Sequence, residues 1–336
     1  MNVQEFLQEC ENRVLLDVRS PGEFVQGHIP GAISFPLFTD AERALVGTCY
    51  KQKGKEQALE LGLELVGPKM AGFIREARTL APHRQLAVHC WRGGQRSGSM
   101  AWLFRQAGFD VLTLQGGYKN YRRWVLDGFE NVPLSLRIVG GRTGVGKTKI
   151  LRELAQQGEQ IVDLEHLAHH KGSAFGSIGE SEQPTVEQFE NDLFKALTDL
   201  DPTRRVWLEN ESHSIGRVYI PMPFWKKMRT SMLFNIEVPE QARIDNLLKD
   251  YVLTDKSDLE AAFLRIQKKL GGQHLKTALD ALASDDFGTA ARIALHYYDK
   301  TYQHGLETNP SPDIRMLTYD HGDLTEIASN LRGLVI

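Results

Sequence analysis

One eight-residue stretch constrains this chain more than any other: Gly141-Arg142-Thr143-Gly144-Val145-Gly146-Lys147-Thr148, which matches GxxxxGK[ST]. The run LRIVGG (136–141) before it reads as a strand, and the residues after it read as a helix through about Gln157. That strand–loop–helix setting makes the spacing a phosphate-binding loop, because successive backbone N–H groups then converge at a helix N-terminus. Gly141, Thr143, Gly144 and Gly146 supply the cradle for a diphosphate. Lys147 reaches its terminal oxygens, and Thr148 can ligate Mg²⁺. Nothing nearby reads adenine or guanine, so a diphosphate that is not a nucleotide fits the pattern.

Acidic partners for such a loop are sought at strand ends. Asp163 and Glu165 close IVDLE (161–165), and Glu209 closes VWLEN (206–210); each is either a metal-side acid or a solvated strand end. Arg217, after ESHSIG, is a candidate phosphate clamp or an ordinary surface arginine. His166 and His170 are spaced i, i+4 with His169 beside them, but no third ligand stands at a zinc-like spacing, so no metal site is expected there.

The other glycine-rich loop lies upstream. His89-Cys90-Trp91-Arg92-Gly93-Gly94-Gln95-Arg96-Ser97 follows the apolar run LAVHC (86–90) and precedes the helical pattern SGSMAWLFRQAG (97–108). A helix N-terminus and the cations Arg92 and Arg96 lower a thiol pKa, which makes Cys90 a candidate nucleophile. Gly93 and Gly94 let the backbone close around a small anion. Flanking arginines and a glycine pair are not needed by a structural cysteine, whereas Cys10 and Cys49 lack such a setting. Two chemistries use the arrangement: phosphoryl transfer through the HC-x5-R-S signature, and sulfur transfer on a cysteine persulfide.

Length bounds the organisation. At roughly 150 residues per domain, 336 residues suggest about two domains. VLLDV (14–18), LAVHC and VLTL (111–114) alternate with helical patterns and imply a parallel α/β unit over 1–128. Asn131-Val132-Pro133 reads as a linker. A second α/β unit, 133–240, holds further strands at 161–165, 206–210 and 231–238, and 241–336 reads as a helical region packed on or extending it. Three scattered cysteines without a CxxC pair give neither a disulfide framework nor a structural zinc site. The first residues lack a secretory pattern, and no run approaches the ~18 apolar residues of a membrane span, so a cytoplasmic protein without a membrane partner is expected.

Charge is locally balanced. Residues 1–130 carry 16 basic and 14 acidic side chains, and the remainder carries 24 and 29, so neither half is a basic tail. Small clusters occur at Lys51/Lys53/Lys55, at Arg122/Arg123 beside Tyr121 and Trp124, at Lys226/Lys227/Arg229 and at Arg265/Lys268/Lys269. The last forms one helical face. Each is either a solvated surface or a local RNA footprint with aromatic stacking.

Asp17-Val18-Arg19-Ser20, Glu23-Phe24 and Gly27-His28-Ile29-Pro30-Gly31-Ala32 resemble the N-terminal signature of rhodaneses, and Leu114-Gln115-Gly116-Gly117 with Trp124 resembles its C-terminal end. The likeness covers about residues 5–127, although the Cys90 loop is one residue longer than in common single-domain rhodaneses and is similar to that of rhodanese-like phosphatases. With CWRGGQRSGSMAWL, GGRTGVGKT and WLENES…IGR in this order, the whole chain resembles the tRNA 2-selenouridine synthase family. That resemblance implies a rhodanese-like parallel-sheet domain followed by a P-loop NTPase-like α/β domain. It implies a transferase that geranylates the 2-thiouridine at the tRNA wobble position from geranyl diphosphate. It then exchanges the geranylated sulfur for selenium from selenophosphate. Substrates rather than a tightly bound cofactor, tRNA rather than DNA as partner, and an enzyme supplying selenophosphate follow from the same resemblance. It assigns selenium handling to Cys90 with Arg92 and Arg96, and diphosphate binding to the P-loop. A cysteine-dependent phosphatase, or a sulfur relay with an ATP-binding switch domain, are the alternatives the residues leave open.

Overall fold

The structure is a computed structural model that describes residues 2–251, 255–307, 311 and 313–334. The chain forms two α/β units: the first runs to Gly128 and also takes in Glu190–Asp192, and the second holds Phe129–Phe189 and the stretch from Leu193 onward.

In the first unit, strands β1 (Val14–Asp17), β2 (Ile33–Ser34), β3 (Gln85–His89) and β4 (Asp110–Thr113) form a parallel sheet in the order β2-β1-β3-β4. The order reverses between β1 and β3, and parallel sheets bind ligands at the carboxyl ends of strands flanking such a reversal. Asp17, the last residue of β1, is paired with His89, the last residue of β3, so the segments that carry Arg19 and Cys90 leave the sheet at the same edge. Leu16, Leu86, Val88 and Phe104 anchor the core. Helix Pro21–Gln26 starts where the sequence dictates: Ser20 and Glu23 form a capping box around Pro21 at the first helical position. Three helices, Asp40–Lys53, Lys55–Val66 and Met70–Leu80, fill a stretch for which the sequence pattern gave no reading.

Helix Gly117–Gly128 corrects one expectation. Tyr121 is only 1 % exposed and packs with Tyr118 at a ring separation of 5.8 Å, so it offers no stacking surface to RNA. Tyr118, Tyr121 and Val125 recur at i, i+3 and i+7, the stripe a helix turns toward its core.

The second unit holds β5 (Ser135–Gly141), β6 (Gln160–Val162) and β7 (Arg205–Glu209), then a hairpin of β8 (Ser214–Ile215) and β9 (Val218–Tyr219), then β10 (Met232–Glu237) and β11 (Ile314–Thr318). The main sheet is parallel in the order β11-β10-β5-β7-β6, which puts the P-loop strand at its centre and at the reversal of strand order. Val139 of β5 pairs with Glu209 of β7, so the carboxylate ends beside the loop that leaves Gly141. Strand β11 is an edge strand within the stretch expected to be helical; half-buried and short, IRMLT carries no strong strand signal. Strand β6 stops at Val162, so Asp163 and Glu165 sit at the start of a short helix, Leu164–Ala168, instead of on a strand. The segment read as a linker is packed in: Val132 and Phe129 are buried, and Phe129 meets Phe194 at 5.1 Å.

Two cores serve this unit. Val139, Leu151, Trp207 and Phe234 lie under the sheet. A second cluster joins Phe175 and Ile178 to helices Lys256–Leu270, Gly272–Ala283 and Phe287–Glu307, and it forms one side of the cavity described below.

Candidate active sites

Cys90 leaves the end of β3 and turns immediately into helix Gln95–Gln106, and its side chain is 3 % exposed. Burial alone pushes a thiol up. Here it is outweighed by hydrogen bonds from the Ser97 hydroxyl, with the sulfur 3.2 Å from Oγ, and from the backbone N–H groups of Ser97, Gly94 and Arg92, so the Cys90 pKa falls below its ordinary value. The loop can make this turn only with glycine. Gly93 has φ +63°, and a Cβ there would lie 2.5 Å from the Leu114 carbonyl; a Cβ on Gly117 would lie 2.3 Å from the Cys90 carbonyl. Gly116-Gly117 is therefore the second wall of the cysteine loop, tied to it by the Tyr118 N–H donating to the Cys90 carbonyl at 2.8 Å.

Arg96 lies where the Cys90 charge favours its own, and its Nη1 donates to Glu23 Oε2 at 2.7 Å. Burial works against the Glu23 charge, but Arg96, the Ser20 N–H and Arg43 hold its carboxyl down at about 2. Arg92 is exposed, with its backbone N–H rather than its guanidinium turned to the sulfur. Beneath the loop Asp17 and Arg19 form a fully buried pair at 2.5 Å, and the Arg19 guanidinium lies 3.7 Å over the Tyr118 ring. His89, with neither ring nitrogen hydrogen-bonded, is driven by burial to about 4 and is neutral at physiological pH. Asp17 and Arg19 stand in the stretch that resembles the rhodanese signature, and His89 in the cysteine loop; their supporting roles emerge only when β1 and β3 are paired.

The second site is the P-loop. Gly144 and Gly146 have φ of +84° and +89°, and a Cβ on Gly141 would come within 2.8 Å of the Ile236 carbonyl. Lys147 Nζ donates to the Gly141 carbonyl at 3.3 Å, and the Thr148 hydroxyl donates to Glu165 Oε2 at 2.6 Å. The Glu165 N–H donates to Glu209 Oε1 at 2.9 Å, leaving the buried Glu209 Oε2 without a hydrogen-bond partner. Glu165 and Glu209 thus stand beside the loop. Asp163 serves as the helix cap, accepting from the His166 N–H at 2.8 Å. Burial raises Glu165, and burial plus the charges of Asp163 and Glu165 raises Glu209 well above the usual carboxylate range. Glu211, two residues on, is pushed by burial and by Glu165 to about 7.

Residues the sequence reading did not single out hold the loop from outside. Arg243 Nε donates to the Thr143 carbonyl at 2.8 Å while its guanidinium pairs with Asp299 at 2.5 Å. Asn246 Nδ2 donates to the Gly144 carbonyl at 3.0 Å, and the Gly141 N–H donates to the Tyr302 hydroxyl at 2.7 Å. All three come from helices Glu240–Tyr251 and Phe287–Glu307, about a hundred residues or more downstream. No local spacing announces them.

The P-loop opens into a cavity of about 600 Å³. Its polar wall is Gly141, Thr143, Gly144, Gly146, Lys147, Thr148, Glu165 and Glu211; its other wall is apolar, with Phe175, Leu259, Phe263, Leu282, Phe287, Ala290 and Ala294. Arg217 sits exposed on the β8–β9 turn, outside the residues lining this cavity. Arg265 is exposed on helix Lys256–Leu270 with Lys268 and Lys269, and donates to the Ala174 carbonyl at 2.9 Å, bracing the loop that carries Phe175. His169 Nδ1 contacts the Glu182 carbonyl at 2.9 Å, and among the described residues no group of three or more His, Cys, Asp or Glu could hold a metal ion.

The family models divide the chain at the same two folds: a rhodanese-like domain matches residues 2–123, and the tRNA 2-selenouridine synthase AAA domain matches 134–331. A tRNA 2-selenouridine synthase of Bdellovibrio bacteriovorus is 36 % identical, with 88 % of this chain and 90 % of that protein covered. Proteins of the same description from Shewanella denitrificans (36 %, covering 88 % of each chain) and Sulfurovum sp. (34 %, covering 89 % and 90 %) are similar throughout. The chain belongs to the tRNA 2-selenouridine synthase family. Within this family the fold is a rhodanese-like parallel-sheet unit followed by a P-loop α/β unit with a largely helical C-terminal region. Among the described residues no helix is long and apolar enough to cross a membrane.

Proposed function

We propose that this chain converts 2-thiouridine at the tRNA wobble position to 2-selenouridine in two steps, through a geranylated intermediate. The observation that carries the first step is the continuity of the phosphate cradle with an apolar chamber in one cavity of about 600 Å³. The Phe175, Phe263, Leu282 and Phe287 side chains form an apolar wall that suits a hydrocarbon tail. The thiouridine sulfur attacks C1 of geranyl diphosphate, the C–O bond breaks, the diphosphate leaves with the electron pair, and the base loses its N3 proton. Lys147 and the loop N–H groups stabilise the charge that grows on the leaving group.

A divalent cation fits beside that loop: the Thr148 hydroxyl and the Glu165 carboxylate are 2.6 Å apart, and Glu209 Oε2 lies buried without a partner. Thr148 and Glu165 are the residues that would hold Mg²⁺, sharing it with substrate oxygens. When bound it supplies charge neutralisation to the diphosphate.

The Cys90 loop is the second site, the one that handles selenium. Its N–H groups already converge on the Cys90 sulfur and lower its pKa, and Arg96 adds a fixed cation, a setting suited to the selenophosphate anion. Selenium bonds to C2 of the base and the geranyl thiol departs, a better leaving group than the original sulfur; water takes the phosphoryl group.

Nucleoside mass spectrometry of 2-thiouridine tRNA incubated with the protein, geranyl diphosphate and selenophosphate tests both steps. Lys147→Ala is expected to abolish the geranylated nucleoside. Cys90→Ser is expected to let that nucleoside accumulate without selenation. Full selenation by Cys90→Ser, or no prenylated nucleoside from the unaltered protein, overturns the assignment.

A further inference from the structure

The acceptor base must reach the mouth of the P-loop cavity, and one surface there has the chemistry to receive it. Residues 212–230 contain four basic side chains, Arg217, Lys226, Lys227 and Arg229, and no Asp or Glu, although residues 131–336 as a whole are acidic. On this segment the His213 ring lies 5.6 Å from Tyr219 and 5.5 Å from Trp225, the latter edge-on, and the Arg229 guanidinium lies 5.7 Å over Trp225. Tyr219 is 50 % exposed, a large ring left open to solvent. Trp225 and Arg229 line the same cavity as Lys147 and Thr148, and the Trp225 indole Nε1–H is buried without a hydrogen-bond partner.

The hairpin that carries Tyr219 is tied to the rest of the unit. Gln183 pins the β8–β9 hairpin, donating to the Ala168 and Ile215 carbonyls at 2.9 and 3.0 Å and accepting from the Arg217 N–H at 2.8 Å. Ile215, Val218 and Ile220 anchor it from below. Splayed RNA bases are held by aromatic planes and guanidinium groups, with cations taking the flanking phosphates.

We propose that the face made by His213, Tyr219, Trp225 and Arg229 is the nucleobase-docking platform of the P-loop unit, where an unstacked pyrimidine of the RNA substrate stacks on the exposed Tyr219 ring. This deepens the prenyl-transfer reading and rests on it for the identity of the reacting atom. Arg217 acquires a role here, as a phosphate contact to the flanking RNA rather than a clamp on the diphosphate.

The experiment uses the full-length protein and an anticodon stem-loop carrying 5-iodouridine at the wobble position. Ultraviolet crosslinking followed by peptide mapping is expected to mark residues 213–229. With the matching 2-thiouridine stem-loop, Tyr219→Ala is expected to weaken RNA binding about 10-fold, the scale of one lost stacking partner. Geranyl diphosphate binding should be unchanged, and Tyr219→Phe should restore RNA affinity. Crosslinks confined to other segments, or unchanged RNA affinity in Tyr219→Ala, would each overturn the platform. Crosslinking at 213–229 by a protein that transfers no geranyl group would uphold the platform and remove the prenyl reading; efficient transfer with crosslinks elsewhere would do the reverse.

Discussion

Arg96 Nη1 lies 2.7 Å from Glu23 Oε2, so the cation beside the Cys90 loop is aimed by a carboxylate 73 residues earlier in the chain. Glu23 simultaneously closes the capping box of its own helix, receiving the Ser20 N–H at 3.1 Å. One side chain thus fixes a helix start and an arginine orientation. Because the Glu23 carboxyl is held at about 2, below its ordinary 4.5, the pair contributes stability above pH 4.5 and loses it only as pH falls toward 2. Glu23→Gln is expected to slow selenation by about 10-fold, the scale of one weakened charge-assisted hydrogen bond, while leaving geranylation intact. Equal losses in both steps would show that the substitution acts on the fold instead.

The Ser97 hydroxyl is the largest single support of the Cys90 thiolate, acting against burial. Ser97→Ala removes it and should raise the Cys90 pKa. Iodoacetamide alkylation followed against pH is expected to show a midpoint displaced upward and a rate at pH 7 lower by about 10-fold. A midpoint that stays in place would assign the thiolate to the loop N–H groups alone.

Both strand–loop–helix sites were legible because a loop of this kind is written in consecutive residues, as in GGRTGVGKT and HCWRGGQRS. What local reading missed is set by tertiary pairing. Arg243, Asn246 and Tyr302 converge on the P-loop from helices about a hundred residues or more away, and nothing in their own neighbourhoods distinguishes them. Tyr121 is the instructive error: a basic-aromatic cluster suggested a surface, but its i, i+3, i+7 companions already marked the buried stripe of a helix. The edge strand β11 escaped because an edge position needs only a half-buried pattern, which IRMLT shares with many helical segments.

Glu211 lines the P-loop cavity with its carboxyl raised to about 7, by burial first and then by Glu165. A carboxyl raised in this way favours the native state below pH 4.5 and forfeits that contribution as pH climbs to about 7. Ionisation also places a negative charge beside the anionic substrate. Diphosphate affinity is therefore expected to fall by roughly 10-fold between pH 6 and pH 8, since one added charge at this range is worth on the order of 1–2 kcal/mol at an effective dielectric near 20 with partial screening. Isothermal titration of geranyl diphosphate against pH measures it, and Glu211→Gln should flatten the profile. A decline that persists in Glu211→Gln would remove Glu211 as its source.

The apolar chamber makes a prediction of its own about which prenyl diphosphates are accepted. Ala294 and Ala290 sit on one helix, Phe287–Glu307, and both line the cavity opposite the P-loop. Small side chains there leave room that a hydrocarbon tail would occupy, whereas the diphosphate contacts come from β5 and the loop after it. Ala294→Phe fills that room at an overpacking cost of about 1–3 kcal/mol, which the core formed with Phe175 and Phe263 absorbs with a lowered melting temperature. Binding of inorganic diphosphate should be unchanged, binding of geranyl diphosphate should weaken by at least about 10-fold, and a five-carbon prenyl diphosphate should become the better ligand. Competition titrations with the three ligands read the ratio directly. If Ala294→Phe weakens all three alike, the apolar wall supports the loop without receiving the chain, and the tail must lie elsewhere.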